Sequence, residues 1–237
     1  WKENSAALRA ALGALTSDSE LRQLLNGFLA HYCSSTLKPH SINESLQIMS
    51  GCTYTQLETA FTWLGRWRPT SATSLVASIM SPEKAKMMTT LLDISNLSVS
   101  DMTLSESQWK ELNKLQHIIS WAERKLSNQH ADFQMLVADP KMVKALHSGV
   151  GLKGVMDMAK GQEIVYSKLA DLHNLLVKAD QLRLQTLKEL YDFLTPTQAA
   201  VCTIVACDFL LALKSAGMRR ESRSKTSCMV KDHAPKD

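Results

Sequence analysis

One apolar stripe with helical spacing runs through the C-terminal half of the sequence, and it restricts the fold more than any other feature. Its members recur at steps of four and three residues up to Ala179 and again from Leu187, which places them on one face of a helix. The spacing predicts a long helix that ends near Leu194. The stripe consists of Val165, Leu169, Leu172, Leu176, Ala179, Leu187, Leu190 and Leu194.

A capping box follows this stripe and predicts the start of a second long helix. The Thr195 hydroxyl can accept the backbone N–H of Gln198, the Gln198 side chain can reach back, and Pro196 suits the first helical position. The helix from about Pro196 to Ala216 is apolar on most sides. We therefore expect it to form the buried centre of the fold, with Gly217 as its C-terminal cap.

An earlier stripe predicts the partner of the first long helix. Ser105 and Gln108 form a capping box, and apolar residues from Leu112 to Leu136 then recur with nearly heptad spacing. Such a seam favours a long antiparallel partner, which the helix around residues 169–190 supplies. Only nine Gly and six Pro occur in 237 residues, which favours helices throughout. The sequence predicts an all-α, single-domain antiparallel helical bundle over residues 1–217, with two long helices in its C-terminal half.

Two segments depart from this pattern. Four glycines and an Asp-Pro step mark residues 138–162, which predict a loop of variable order. Within it, residues 149–154 match a dinucleotide-binding glycine motif, but no strand precedes them, so a linker is favoured. Residues 218–237 carry six basic side chains against three acidic ones and predict a disordered basic tail.

Charge and motif content argue against several functional classes. The net charge is +4, but most of the excess lies in the tail, so direct nucleic-acid binding by this chain is disfavoured. Five widely spaced cysteines and no paired histidines favour neither a disulfide framework nor a metal site. The sequence has no nucleophile elbow and no uninterrupted apolar run of about 18 residues. We expect a non-enzymatic protein without catalytic residues, cofactor, metal or transmembrane segment.

Further capping boxes, at Ser17–Glu20 and Thr53–Gln56, predict two helix starts in the first half. The second of these helices leads into a corner in which Gly65 ends the helix and Pro69 fixes φ, so that Thr70 or Ser71 can cap the next helix.

The same corner is rich in aromatic and basic side chains. These side chains predict either a packed corner with cation–π support or a surface that recognises a partner. They are Trp63, Arg66, Trp67 and Arg68.

A polar group interrupts the long stripe at Asp180, Arg183 and Thr186. Asp180 and Arg183 are spaced for an ion pair on one helix. An exposed pair would contribute only about 0.3–0.5 kcal/mol. The group therefore indicates either partner contact or a buried structural network.

Three runs of sequence resemble the plant Delay-of-Germination domain family. The run from Ala179 to Leu187, which includes Leu182, is followed by Thr195–Ala200 and is similar to the C-terminal signature of the family. Residues 62–71 resemble its Trp-Leu-Gly-Gly-x-Arg-Pro-Ser turn, with Arg66 in place of the second glycine, so we expect a strained or rearranged backbone at Arg66. Residues 104–108 resemble its Leu-Ser-x-x-Gln start.

This resemblance implies a regulatory or adaptor protein that acts through other proteins. The family contains seed-dormancy regulators, which bind type 2C phosphatases in abscisic-acid signalling, and TGA-type bZIP transcription factors. It also contains pollen-aperture factors, which act with aperture-domain proteins at the plasma membrane. The resemblance leaves these three branches open, together with a bundle that binds a small molecule, and it implies a nuclear or cytoplasmic location, peripheral to the membrane for an aperture factor. A homodimer is also expected.

The same resemblance bears on haem and on the partner-binding residues. Some dormancy regulators bind haem through two histidines in the last helix, and Leu210 and Lys214 occupy those positions here. Because neither is a usual axial ligand, haem binding is not expected. The residues that we expect to carry the family motif, or to contact a partner, are Trp63, Gly65, Trp67, Arg68, Pro69, Asp180, Leu182, Arg183, Thr186 and Gln198.

Overall fold

The computed structural model describes residues 2–14, 16–36, 41–92, 97–150 and 155–231. Regular structure in these ranges is helical and includes no β-strand, which confirms the all-α prediction. The α-helices are α1 (Lys2–Gly13), α2 (Asp18–Thr36), α3 (Ile42–Met49), α4 (Gln56–Thr59), α5 (Pro69–Ile79), α6 (Pro82–Leu91), α7 (Glu106–Gln134), α8 (Pro140–Val150), α9 (Val155–Phe193) and α10 (Pro196–Lys231), with short 3-10 turns at Ser100–Met102 and Met135–Ala138.

The first half of α10 lies at the centre of the larger hydrophobic cluster. Ala200 and Val201 are fully buried and Ile204 nearly so, as expected for a helix that is apolar on most sides. Six other helices contribute to this cluster, and α9 does so through Leu190. The cluster includes Leu8 and Leu12 of α1, Leu21 and Leu25 of α2, Val76 and Ile79 of α5, Met88 of α6, and Leu112, Leu115 and Ile119 of α7.

Among the described residues, α10 is also the one helix long and apolar enough to cross a membrane, over Pro196–Arg223. This criterion rests on length and composition alone. A core helix that is apolar on most sides meets it equally, so it does not establish a transmembrane segment.

The two long helices α7 and α9 pack against each other, as their stripes predict. Leu126 of α7 meets Leu172, Leu176 and Ala179 of α9 in a second hydrophobic cluster. The start of α7 lies at the end of α9, because Gln108 Nε2 donates to the carbonyl of Phe193 at 3.0 Å. The pair is therefore antiparallel, as predicted.

Two predicted capping boxes are present and are joined to each other. Ser105 and Gln108 cap α7, and Thr195 and Gln198 cap α10. Gln108 Nε2 donates to Gln198 Oε1 at 2.8 Å, while Gln198 Nε2 donates to the carbonyl of Thr103 at 2.8 Å. The starts of the two helices are thus held together by a hydrogen-bonded pair of glutamines.

The predicted end of α10 at Gly217 is wrong, because the helix continues to Lys231. Gly217 is instead a packing residue. A Cβ atom there would lie 2.1 Å from Thr55 Oγ1, so the absence of a side chain lets α10 approach the start of α4. Helix therefore replaces the disordered tail expected over residues 218–231, and residues 232–237 lie outside the described ranges.

Two further helix predictions differ from the structure. Thr55 and Glu58, not Thr53 and Gln56, form the capping box of α4, because Tyr54 N–H bonds the carbonyl of Gly51 and holds the preceding residues in a turn. The loop predicted at residues 138–162 contains α8 and the start of α9. Of the glycine motif at 149–154, only residues 149–150 lie within the described ranges.

Candidate functional site

The predicted corner is a tight turn whose strained position is Leu64. Trp63 N–H donates to the carbonyl of Arg66 at 2.6 Å, and Arg66 N–H donates back to Trp63 at 3.2 Å. Leu64 and Gly65, the central residues, have φ values of +46° and +78°, as in a type I′ turn. Positive φ costs a leucine roughly 1–2 kcal/mol and a glycine almost nothing. The strain expected near Arg66 therefore lies at Leu64 instead, and the φ of Arg66 is not positive.

Gly65 also allows the turn to pack against the end of α3. A Cβ atom at Gly65 would lie 2.4 Å from Ile48 Cγ2. The glycine is thus required both by its backbone conformation and by the close approach of α3.

The side chain of Arg183 in α9 packs against this turn and donates hydrogen bonds to it. It is fully buried, and Nε donates to the carbonyl of Trp67 at 2.7 Å. Nη1 donates to Asp180 at 2.7 Å, and Nη2 donates to the carbonyls of Trp63 and, at 3.1 Å, Leu64. The guanidinium carbon also lies 5.3 Å from the centroid of the Trp63 ring. Arg183 therefore belongs to a buried network rather than to an exposed ion pair.

Asp180 is shared between two guanidinium groups. Besides accepting from Arg183, its Oδ1 lies 3.5 Å from Nε of Arg66, a buried atom without a hydrogen-bond acceptor. Nearby, Trp67 Nε1 donates to the hydroxyl of Tyr32 at 3.2 Å. Burial raises the pKa of Tyr32 to about 12, so this hydroxyl is neutral at physiological pH. The Asp180 carboxylate thus faces two cations, Arg183 and Arg66, next to the turn.

Glu123 of α7 holds the other side of the corner. Its fully buried carboxylate accepts from Arg68 Nε at 2.6 Å, from Thr70 N–H at 2.6 Å and from Thr70 Oγ1 at 3.0 Å. Helix α5 begins at Pro69 without a capping bond from its own N-cap side chain. Glu123 therefore supplies the cap from another helix, and the predicted capping role of Thr70 or Ser71 is wrong.

Glu123 was not among the residues selected from the sequence, although one signal was available. It follows Ile119 by four residues and precedes Leu126 by three, so it lies on the buried stripe of α7. A carboxylate on an apolar stripe needs a partner, because an unpaired buried charge is costly.

The remaining motif residues are placed in different surroundings. Trp63 Nε1 donates to Ser127 of α7 at 2.9 Å. Thr186 donates to the carbonyl of Leu182 in its own helix at 2.7 Å, and Leu182 packs against the smaller hydrophobic cluster. Gln198 binds the α7–α10 joint described above. The structure thus brings Trp63, Gly65, Trp67, Arg68 and Pro69 together with Asp180 and Arg183, but not with Gln198.

Known plant proteins resemble this chain over most of its length. The model of the DOG1 family, described as seed dormancy control, matches residues 4–78, which include the Trp63–Pro69 turn. The chain is 30% identical to transcription factor TGA2 of Arabidopsis thaliana over 88% of its own length and 57% of that protein. It is 28% identical to Protein DOG1-like 4 of the same plant, over 86% of this chain and 81% of that protein. The chain belongs to the DOG1 family.

The chain is also 31% identical to transcription factor TGA2.2 of Oryza sativa subsp. japonica, over 88% of this chain and 56% of that protein. It therefore spans little more than half the length of the TGA factors that it matches. TGA2 and TGA2.2 are transcription factors by name.

Among the described residues, no group of three His, Cys, Asp or Glu side chains could hold a metal ion. Leu210 is half-buried and Lys214 is exposed, at the two positions where the resemblance would place haem ligands. Both lie in α10, one helical turn apart.

Proposed function

We propose that this chain is a non-enzymatic regulatory module of the DOG1 family that acts by binding other proteins. The observation that carries the proposal is the internal use of the family motif. Arg183 donates to the carbonyls of Trp67 and Leu64 in the turn and to Asp180 in its own helix. The carboxylate of Glu123 accepts from Arg68 and Thr70. The motif therefore holds α2, α5, α7 and α9 together. The outer helix surfaces are then left to bind partner proteins.

The names of the relatives support regulation of transcription or dormancy, with a nuclear location. The transcription factors TGA2 and TGA2.2 and Protein DOG1-like 4 are regulators or their homologues by name. Within the family, a dormancy role in abscisic-acid signalling would use type 2C phosphatases as partners.

Affinity capture tests this proposal directly. The tagged chain is expressed in plant tissue, and the captured proteins are identified and then bound to the purified chain. Saturable binding of a type 2C phosphatase is the expected result. Aperture-domain proteins in its place would assign the chain to the pollen-aperture branch. No enrichment of any protein over the tag alone would contradict the proposal.

A second candidate is the C-terminal regulatory domain of a TGA-type bZIP factor, which the 30% identity to TGA2 over 88% of this chain favours. In that case, a basic region and a leucine zipper would precede this chain in the full-length protein. The full-length transcript tests this, and a coding sequence without a basic region would exclude it.

We also propose that the chain does not bind haem through α10, because Leu210 and Lys214 are not usual axial ligands. When the chain is titrated with haemin, the Soret band should shift no more than it does with a control helical bundle that has no histidine in its last helix. A stoichiometric shift that survives replacement of each of the seven histidines would contradict the argument.

A further inference from the structure

Beyond Cys207, α10 has an uncovered face, unlike the stretch that precedes it. From Leu210 to Arg223, Gly217 is buried and every other residue is half-buried or exposed. Phe209 is 53% exposed and meets Phe61, which is 58% exposed, with ring centroids 6.2 Å apart and an interplanar angle of 80°. This edge-to-face pair leaves two aromatic rings in contact with water, so it offers apolar area to a partner.

A regular stripe continues from Phe209 toward the end of the helix. Ala212, Ala216, Arg219 and Arg223 follow it at steps of three, four, three and four residues, the spacing with which one helix meets another. All of them are exposed except Ala216, which is half-buried. The stripe is about 21 Å long, and its two alanines allow a partner backbone to approach closely. We call it the α10 seam.

The charged end of the α10 seam lacks a counter-charge. Arg219 and Arg223 are spaced at i, i+4, where like charges destabilise a helix, and Arg220 lies beside them. Within the described part of the chain, no ion pair involves any of the three. The one acidic residue among them, Glu221, accepts the N–H of Gln56 at 2.8 Å and is thus turned toward α4.

We propose that the α10 seam binds an amphipathic helix of a partner protein, with apolar side chains against Phe61 and Phe209 and carboxylates against Arg219, Arg220 and Arg223. This inference rests on the proposed function and names the surface that carries it. Charge complementarity selects the occupant, since carboxylates both pair with arginines and steer association.

Two other occupants fit the seam less well. A second copy would bring arginines against arginines or against phenylalanines and would supply no carboxylate from its own seam. On a helix that lies on a membrane, basic residues flank the apolar face along its whole length. Here the basic residues follow the apolar ones along the axis, which matches a rod-shaped partner with an apolar end and an acidic end.

Synthetic helical peptides of about 20 residues provide the test. One peptide has an apolar heptad seam that ends in glutamates, and the other has lysines in place of the glutamates. Each is made with its charged half at either terminus, and binding to the full chain is measured by fluorescence anisotropy. We expect an acidic peptide to bind at least about tenfold more tightly than its lysine counterpart.

Charge reversal makes the test specific. The double variant Arg219→Glu/Arg223→Glu should reverse the preference, so that the lysine peptide binds more tightly, and Phe209→Ser should weaken the binding of both peptides. The control Lys110→Glu/Lys114→Glu makes the same charge change on the exposed side of α7 and should leave the preference unchanged. Circular dichroism checks that each variant is folded.

Equal binding of the two peptides, or no binding of either, would overturn the inference. So would binding only to vesicles of phosphatidylcholine and phosphatidylserine, or self-association that Arg219→Glu/Arg223→Glu does not alter. If wild type and this variant capture the same plant proteins equally well, the α10 seam is excluded while the proposed function stands. If the wild type captures none, the proposed function itself fails.

Discussion

The carboxylate of Glu123 on α7 accepts a hydrogen bond of 2.6 Å from Arg68, the residue immediately before α5. The same carboxylate caps α5 through the N–H of Thr70. A charge-assisted bond and a helix cap thus depend on one buried side chain, which joins the family turn and the start of α5 to α7.

Replacing Glu123 should therefore be costly. Glu123→Ala leaves a helix start without its cap and removes a buried pair, so the free energy of unfolding should fall by about 2–4 kcal/mol. Urea denaturation measures the change. The control Glu111→Ala removes an exposed ion pair on the same helix and should leave the Tm unchanged. An equal effect of the two substitutions would refute the capping role.

Arg183→Ala should destabilise the fold further. It leaves the carbonyls of Trp63, Leu64 and Trp67 and the carboxylate of Asp180 without the donors that they have now, and we expect a loss of about 3–5 kcal/mol. Arg183→Lys should rescue little of this, because an ammonium group cannot reproduce the planar fork. The control is Arg124→Ala, at an exposed position of α7. A full rescue by lysine would argue against the geometry described.

Two glycines within helices should respond to alanine in opposite ways. Gly217→Ala places a Cβ atom 2.1 Å from Thr55 Oγ1 and should destabilise the protein by about 1–3 kcal/mol. Gly27→Ala in α2 meets nothing within 4 Å and should stabilise it by about 0.5–1 kcal/mol, because alanine has the higher helix propensity. Thermal melts of both variants decide the matter. A stabilising Gly217→Ala would show that α4 does not pack there.

Trp63→Ala tests whether the turn is packed or recognises a partner. The ring lies over Arg183 and its Nε1 bonds Ser127, so we expect a loss of about 3–5 kcal/mol. Thermal denaturation and partner binding are measured together. Unchanged stability with lost binding would make Trp63 a recognition residue instead.

Stability should fall at high pH in part because of Tyr32. Burial raises the pKa of Tyr32 from 10.0 to about 12 in the folded state, so the folded protein holds this proton more tightly. Its contribution is complete below pH 10 and is lost as the pH rises towards 12. Tyr32→Phe should make the decline in the free energy of unfolding shallower in this range. Burial also raises the pKa of Tyr191 and Cys202, so some decline remains, and parallel curves would count against Tyr32.

Local sequence determined the helices and most of their starts. The capping boxes at Ser105 and Thr195 join residues three positions apart, and the stripes of α7 and α9 repeat within a few residues, so both features can be read along the chain. The all-α class and the antiparallel pairing of α7 and α9 follow from them.

Only the tertiary structure decided what the polar motif does. Arg183 meets the carbonyls of Trp67 and Trp63 across 116 and 120 residues of sequence, Glu123 meets Arg68 across 55, and Gly217 meets Thr55 of a different helix. No local pattern specifies such contacts, because they depend on which helix faces pack together. The sequence therefore left the burial of Asp180 and Arg183 open and gave Gly217 the wrong role, and packing settled both.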